Sequence, residues 1–265
     1  MEIVVCIKQI LDPEIPPAKF RLDTESKQVI PPEGIPPVIN PYDERAVELA
    51  LRFKEKHGGR IKVITIGGTA TAIVKHALSM GADEGIVLAD DKFDDLDSFA
   101  KALILTKTIQ KMGNFDIVLC GRQAADWDEG LVGSIIAKNL DLPLVTLAEA
   151  IDFIDGELRI RRATLEGYQL FACPVPAVVT VSSEVGRPRL PSGWGIIAAA
   201  RKQVPVWNAG DLGLDSSQVK GKIARRKLVK LYAPERERRC DIIKGETVTE
   251  AAANLAVKLR EAKVI

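Results

Sequence analysis

Between Cys120 and Gly133 the chain reads Cys-Gly-Arg-Gln-Ala-Ala-Asp-Trp-Asp-Glu-Gly-Leu-Val-Gly. The polar part of this stretch, Gly121, Arg122, Gln123, Ala124, Ala125, Asp126, Trp127, Asp128, Glu129, Gly130, Leu131 and Val132, follows the apolar run Ile117-Val118-Leu119. It precedes Ile135-Ile136-Ala137, which reads as a helix. A long glycine-bearing turn between a buried strand and a helix is where open α/β sheets bind nucleotides. The backbone N–H groups and positive dipole end of such a helix suit phosphate oxygens. No Gly-x-Gly-x-x-Gly follows the first strand, and no Walker Gly-x-x-x-x-Gly-Lys-Ser/Thr occurs. The spacing therefore points to a nucleotide site, but of neither common kind; a purely structural strand-turn-helix competes with it.

The elements that must position this turn alternate along the chain. Short apolar runs at 2–7, 61–66, 85–89, 116–120 and 144–147 predict strands, and helical patterns lie between them at 42–56, 70–80, 96–112 and 130–140. Such alternation implies right-handed crossovers and a Rossmann-like, doubly wound, mostly parallel sheet. Asn40-Pro41 begins the first helix with a side-chain cap and a first-turn proline, and Asp43 and Glu44 suit its positive end. The proline-rich insert at 11–39, with a hairpin around 19–30, is long for a compact domain, and such loops are often functional. After residue 147 an antiparallel extension is expected, with strands at 151–154, 157–163, 167–172 and 177–182 and a tight turn at Asp155-Gly156.

Residues 1–182 thus form an α/β nucleotide-binding domain. Residues 183–265 form an arm that wraps its own domain or a partner and does not fold alone. Little helical periodicity is present from Ser183 to Glu246. A final helix over 248–262 opens with the capping box Thr247-x-x-Glu250. Lys220, Lys222, Arg225, Arg226, Lys227, Lys230, Arg236, Arg238 and Arg239 make the arm basic. With Tyr232 as the sole nearby aromatic and a net charge of +1, a solvated or subunit-facing arm is favoured over nucleic-acid binding.

Composition narrows the class further. The 265 residues are 46% hydrophobic and 28% charged, ordinary for a globular protein. No apolar run reaches the ~20 residues of a membrane span. Met1 leads straight into Ile3-Val4-Val5, leaving no room for a targeting peptide, so a cytoplasmic protein is expected. The four cysteines, Cys6, Cys120, Cys173 and Cys240, form no Cys-x-x-Cys pair, which fits a reducing compartment. His57 and His76 sit on separate helices and form no metal set. No Ser/His/Asp set or paired-carboxylate site stands out, so no catalytic residue and no metal is assigned.

Several motifs then carry a family likeness. Val5-Cys6-Ile7-Lys8-Gln9, Asn40-Pro41-Tyr42-Asp43, Ala82-Asp83 and Gly121-Arg122-Gln123-Ala124-x-Asp126-x-Asp128 resemble, in order, motifs of the β subunit of electron-transfer flavoprotein. Arg162, Glu166-Gly167-Tyr168, Pro176-Ala177-Val178-Val179-Thr180 and Gly210-Asp211-Leu212-Gly213 continue the resemblance. It implies an electron carrier, not a stand-alone enzyme, paired with an α subunit whose FAD lies mainly outside this chain. It implies an adenine nucleotide held by Cys6 (through its backbone), Asn40, Pro41, Tyr42, Asp43, Gly67 and residues 121–132. In ordinary members that nucleotide is AMP; in the electron-bifurcating branch it is a second FAD, reduced by NADH. The choice stays open: Asn-Pro-Tyr-Asp and Gly-Arg-Gln look like the bifurcating branch, whereas Glu129-Gly130-Leu131 departs from its Thr-Ala-Gln.

Other departures bear on the ligand and the partner. Glu129 would repel phosphates unless it points away, and Arg122 could offset it. Trp127 could cover a ring or pack against the tail. The family's partner-recognition loop corresponds to 189–198, where Trp194, Ile196 and Ile197 would dock a flavin dehydrogenase or quinone reductase. Gln169 stands where the signature is usually acidic, and its amide cannot hold an arginine as a carboxylate would. The rival class is an adenine-nucleotide-binding enzyme or sensor of the related ATP pyrophosphatase or stress-protein fold. The first of these lacks its Ser-Gly-Gly-x-Asp-Ser-like loop here, and the second leaves the long tail unexplained.

Overall fold

The computed structural model describes residues 1–93, 96–214, 225–234 and 240–265. Lys220, Lys222, Arg236, Arg238 and Arg239 of the basic arm lie outside them. Strand β1 is Glu2–Cys6, and the insert follows with β2 (Gln9–Ile10), the hairpin β3 (Arg21–Asp23) and β4 (Gln28–Ile30), and β5 (Val38–Ile39). Then come α1 (Pro41–His57), β6 (Arg60–Ile66), α2 (Thr71–Met80), β7 (Glu84–Leu88), α3 (Ser98–Met112), β8 (Ile117–Gly121) and α4 (Val132–Leu140). The chain continues through β9 (Leu144–Ile154), β10 (Glu157–Thr164), β11 (Gly167–Cys173), β12 (Ala177–Val181), α5 (Gly193–Arg201) and β13 (Val206–Trp207).

Nine of these strands form one sheet in the order β11-β10-β9-β12-β8-β1-β6-β7-β13. From β12 to β13 every pairing is parallel, and among β1, β6, β7 and β8 the alternation of helix and strand dictates this, because each crossover returns the chain to the same end of the sheet. Both faces are covered. Ile3 and Val5 of β1 face one core with α1 and α2, while Val4 and Cys6 face the other with α3 and α4. A strand buried on both sides reads as an unbroken apolar run, which is why these strands are legible as short hydrophobic blocks.

Two expectations for the extension change. Residues 151–154 are not a separate strand; they continue β9, which runs eleven residues and leaves the parallel region through Leu147, at φ +60. The Leu147 N–H bonds to Thr180 Oγ1 where the β9–β12 register slips. β12 is not antiparallel. It inserts between β8 and β9, parallel to both, and all five of its residues are buried. Its local sequence does not distinguish the two directions; the direction follows from the return of the β9–β11 excursion into the sheet. The Asp155-Gly156 turn has positive φ at both residues, the geometry a two-residue hairpin demands.

The expected lack of helix after Ser183 is also corrected, because α5 occupies Gly193–Arg201. Ser192 caps it, its hydroxyl accepting from the Gly195 N–H at 3.0 Å. The helix is fastened to α2 at its far end. Lys75 Nζ donates to the carbonyls of Ala199 and Ala200 and to that of Lys202, satisfying orphan acceptors of the last turn. Lys202 Nζ in turn donates to Ala82 and Asp83 carbonyls, both at 2.9 Å. The first compact unit spans Met1–Val229; the second, Lys230–Ile265, carries α6 (Val248–Glu261), whose Thr247 Oγ1 accepts from the Glu250 N–H at 3.2 Å.

At Gly195, α5 lies against the Ser79 carbonyl oxygen so closely that a Cβ would overlap it. Gly195→Ala is therefore expected to destabilise the first unit by about 1–3 kcal/mol through overpacking, read as a lower urea midpoint at unchanged slope.

Candidate functional site

The chain leaves β1 toward β6 and β7 on one side, then returns through α3 to β8 on the other side of β1. This is a topological switch point, where the loops after β1 and β8 diverge and open a crevice at the carboxyl ends of the strands. Cys6 and Cys120 are register partners at that point, both buried. The contact with Cys120 and burial push the Cys6 pKa upward, so Cys6 is held as a neutral thiol.

Asp43 is the buried hub of the site. Its Oδ2 accepts the Lys8 N–H at 2.8 Å and its Oδ1 accepts the Gly121 N–H at 3.0 Å, so the first turn of α1 joins the ends of β1 and β8. Burial pushes this carboxyl up to about 7, against the Asn40 amide and the two N–H groups, which favour its charged form. Gly121 must be glycine here, since a Cβ would overlap Asp43 Oδ1 and come within 2.7 Å of the Tyr42 carbonyl carbon.

Asn40 does not cap α1 with its side chain. Instead its Nδ2 donates to the Gln123 carbonyl at 2.8 Å and its Oδ1 accepts the Ala125 N–H at 3.2 Å. The residue that reads as a helix cap is thus spent on holding the 121–131 loop, and Pro41 at the first helical position makes a cap less necessary there. Lys8 Nζ reaches Asp126 at 2.7 Å, and Gln123 Nε2 reaches Asp128 Oδ1 at 2.7 Å. Positive φ at Asp128 and Gly130 turns the loop into α4.

Arg122 lies over the Tyr42 ring, 5.2 Å from its centroid, and its Nε donates to Gln123 Oε1 at 3.0 Å. Among the described residues its terminal nitrogens make no hydrogen bond, which leaves them for an anion. Gly67, at φ +140, and Gly68 end β6 beside this edge, and nothing stands within 4 Å of where a Gly68 Cβ would be. Bare backbone, an uncommitted guanidinium end and an aromatic ring suit an adenine nucleotide.

Glu129 differs from expectation. Its carboxylate accepts from the Ser98 hydroxyl at the start of α3 and from Arg226 Nη1 at 2.8 Å, and not from Arg122. Sequence offered no signal for Arg226, which lies 97 residues away. Trp127 keeps half its surface exposed. His57 pairs with Asp152 at 2.6 Å and His76 with Glu44 at 2.7 Å. Arg162 stands opposite Gln169 in the β10–β11 register, and its buried Nε has no partner among the described residues. Trp194, Ile196 and Ile197 do not meet at the crevice; they stand on α5, 83%, 55% and 47% exposed.

A mostly parallel α/β sheet with a side-chain-anchored loop at its switch point is the kind of frame on which open α/β proteins bind ligands, and comparison with known proteins specifies the family. Residues 29–212 match the electron transfer flavoprotein domain family. The electron transfer flavoprotein subunit beta of Thermoanaerobacterium thermosaccharolyticum is 39% identical over the full length of both chains. The caffeyl-CoA reductase-Etf complex subunit CarD of Acetobacterium woodii is 33% identical, again over the full length of both. Protein FixA of Azotobacter vinelandii is 33% identical over 92% of this chain and 89% of its own. The chain belongs to the electron transfer flavoprotein family, with the beta subunits among its full-length relatives. Among the described residues, no helix is long and apolar enough to cross a membrane.

The Asp43 geometry has a pH consequence. Its folded-state pKa lies above the value near 3.8 of a free aspartate, so the folded protein binds the extra proton between about pH 4 and pH 7. Its contribution to stability is complete below that window and falls as pH rises through it. The stability advantage of the wild type over Asp43→Asn should shrink by roughly 2–4 kcal/mol between pH 4.5 and pH 7.5 in urea titrations. A constant or growing advantage would contradict the assignment.

Proposed function

We propose that this chain is the nucleotide-binding subunit of a heterodimeric electron carrier that passes electrons between dehydrogenases and an acceptor. The observation that carries the reading is the loop 121–131, tied to α1 by Asn40 and Asp43 and to β1 by Lys8, with the outer end of Arg122 left uncommitted. An α subunit would hold a redox-active FAD. This chain's crevice would hold AMP or a second FAD; either supplies an adenine and phosphates, and only FAD would add redox chemistry at this site.

Each residue then has a task. Gly67 and Gly68 admit phosphate close to the backbone. Arg122 meets phosphate charge, and Tyr42 beneath it fixes the guanidinium. Asn40 and Asp43 keep the loop in register with the strands and do not themselves react. On the opposite part of the unit, Arg189 joins Glu48 through Nε at 2.8 Å, and also Glu55, anchoring the chain that leads into α5. That anchorage presents Trp194, Ile196 and Ile197 to solvent as a docking face for a flavin dehydrogenase or quinone reductase.

The test is co-expression with the α subunit and a count of the adenine nucleotides released on denaturation. Two FAD per heterodimer would mark a redox-active second site and make NADH-driven bifurcation the next measurement. One FAD and one AMP would mark a single-flavin carrier. Failure to associate, with no flavin, would overturn the reading. Arg122→Ala should weaken nucleotide retention by roughly 10–100-fold, the size of a lost charge-assisted bond, while leaving the urea midpoint near the wild type.

A further inference from the structure

Glu129 is a carboxylate set in the very loop that the reading above assigns to a phosphate-bearing ligand. Its charge is met by a residue from far along the chain, Arg226, at 2.8 Å. The segment around Arg226 is itself fastened down. The N–H groups of Arg225 and Arg226 donate to Asp97 Oδ2 at 2.6 and 2.9 Å, while Asp97 Oδ1 caps α3 through the Ala100 N–H at 2.9 Å. The Arg225 guanidinium lies over the Phe99 ring at 5.3 Å. Leu228 offers its carbonyl to Lys27 Nζ, in the insert hairpin, at 3.3 Å. The nucleotide loop, the start of α3 and the insert are thus joined by one strap, residues 225–228.

We propose that Arg226 is a positioning residue for the nucleotide loop, neutralising Glu129 so that seating of the strap and retention of an anionic adenine nucleotide are linked. The inference rests on the nucleotide site described under the proposed function. An exposed ion pair contributes little stability by itself, so the pair does not act by stapling the fold. It acts on charge. With Arg226 in place, Glu129 is paired and bonded to Ser98; with Arg226 removed, a bare carboxylate faces the phosphates across a short loop. Against the upward push of burial, the N–H groups of Ala100, Arg225 and Arg226 hold the Asp97 carboxyl below its usual range, which keeps the strap's own anchor ionised at neutral pH. Linkage is reciprocal, so a bound nucleotide tightens the strap by the same factor that the strap tightens the nucleotide.

The experiment follows release of bound adenine nucleotide from the heterodimer into excess unlabelled AMP, for the wild type, Arg226→Ala, Arg226→Lys, Glu129→Gln and the double variant Glu129→Gln/Arg226→Ala. Arg226→Ala should release about five- to twentyfold faster, the effect of one like charge near a surface, and more so at low salt. Arg226→Lys should return most of the retention. The double variant should also return near the wild-type rate, because removing the Glu129 charge removes the need for Arg226; a merely structural strap would not be rescued this way. Release of Arg226→Ala at the wild-type rate, or a double variant as fast as Arg226→Ala, overturns the proposal. The Arg122→Ala variant separates the two readings. If it loses nucleotide while Arg226→Ala does not, this inference alone falls; if the wild type carries no adenine nucleotide, both fall.

Discussion

A parallel sheet has a weakness at its switch point: two neighbouring strands send their chains to opposite faces, and the backbone just beyond them has no strand to pair with. Here the N–H groups of Lys8 and Gly121 are those orphans, and a single carboxylate, Asp43, accepts both. Unpaired buried N–H groups cost about 1–3 kcal/mol each, so the carboxylate is worth its own burial. Everything at the crevice depends on this bridge. It fixes the first turn of α1 against the ends of β1 and β8 and sets where the 121–131 loop takes off. The glycine at 121 is a consequence, because the bridging oxygen occupies the space of its Cβ.

The same economy governs the loop. Long polar loops are usually mobile because few groups hold them. This one is held by side chains from three other segments: Asn40 before α1, Lys8 after β1 and Arg226 from the strap. None of these ties uses the outer end of Arg122. The loop is fixed by its carbonyls, its carboxylates and the Ala125 N–H, and the outer end of the Arg122 guanidinium stays uncommitted among the described residues. Under the proposed reading, that uncommitted guanidinium end is what an anion would use, since preorganised donors need no rearrangement when the anion arrives.

The exposed face on α5 follows a different physical logic. Gly195 and two lysine clasps, Lys75 of α2 bonding the end of α5 and Lys202 after α5 bonding the carbonyls beyond α2, press one side of a short helix against the unit. A nine-residue helix pressed so closely on one side must show its other side to solvent. Trp194, Ile196 and Ile197 occupy that side, and the buried pairing of Arg189 with Glu48 fixes where it stands.

Much of this was written locally in the sequence. Apolar blocks buried on both faces marked the parallel strands, and the helices between them were bounded within a residue or two, because periodicity and end signals are local. The Asp155-Gly156 turn and the Thr247 cap were legible for the same reason. The family motifs grouped Asn40, Asp43 and the 121–132 loop, and the structure brings these segments together. Sequence by itself therefore determined the element order, the fold class and which segments converge. It did not give the direction of β12, since an apolar run is the same parallel or antiparallel, nor the helix at 193–201, whose two glycines mask its helical pattern. It misassigned Asn40 to its own helix, because a capping residue and a cross-loop bridge have the same amide. It gave Glu129 no partner of its own, because an arginine 97 residues away carries no local signal. Those pairings belong to the tertiary structure alone: a hydrogen bond or ion pair selects by distance in space, and Asn40 with Gln123, Asp43 with Gly121 and Glu129 with Arg226 become neighbours only when the sheet has closed between them.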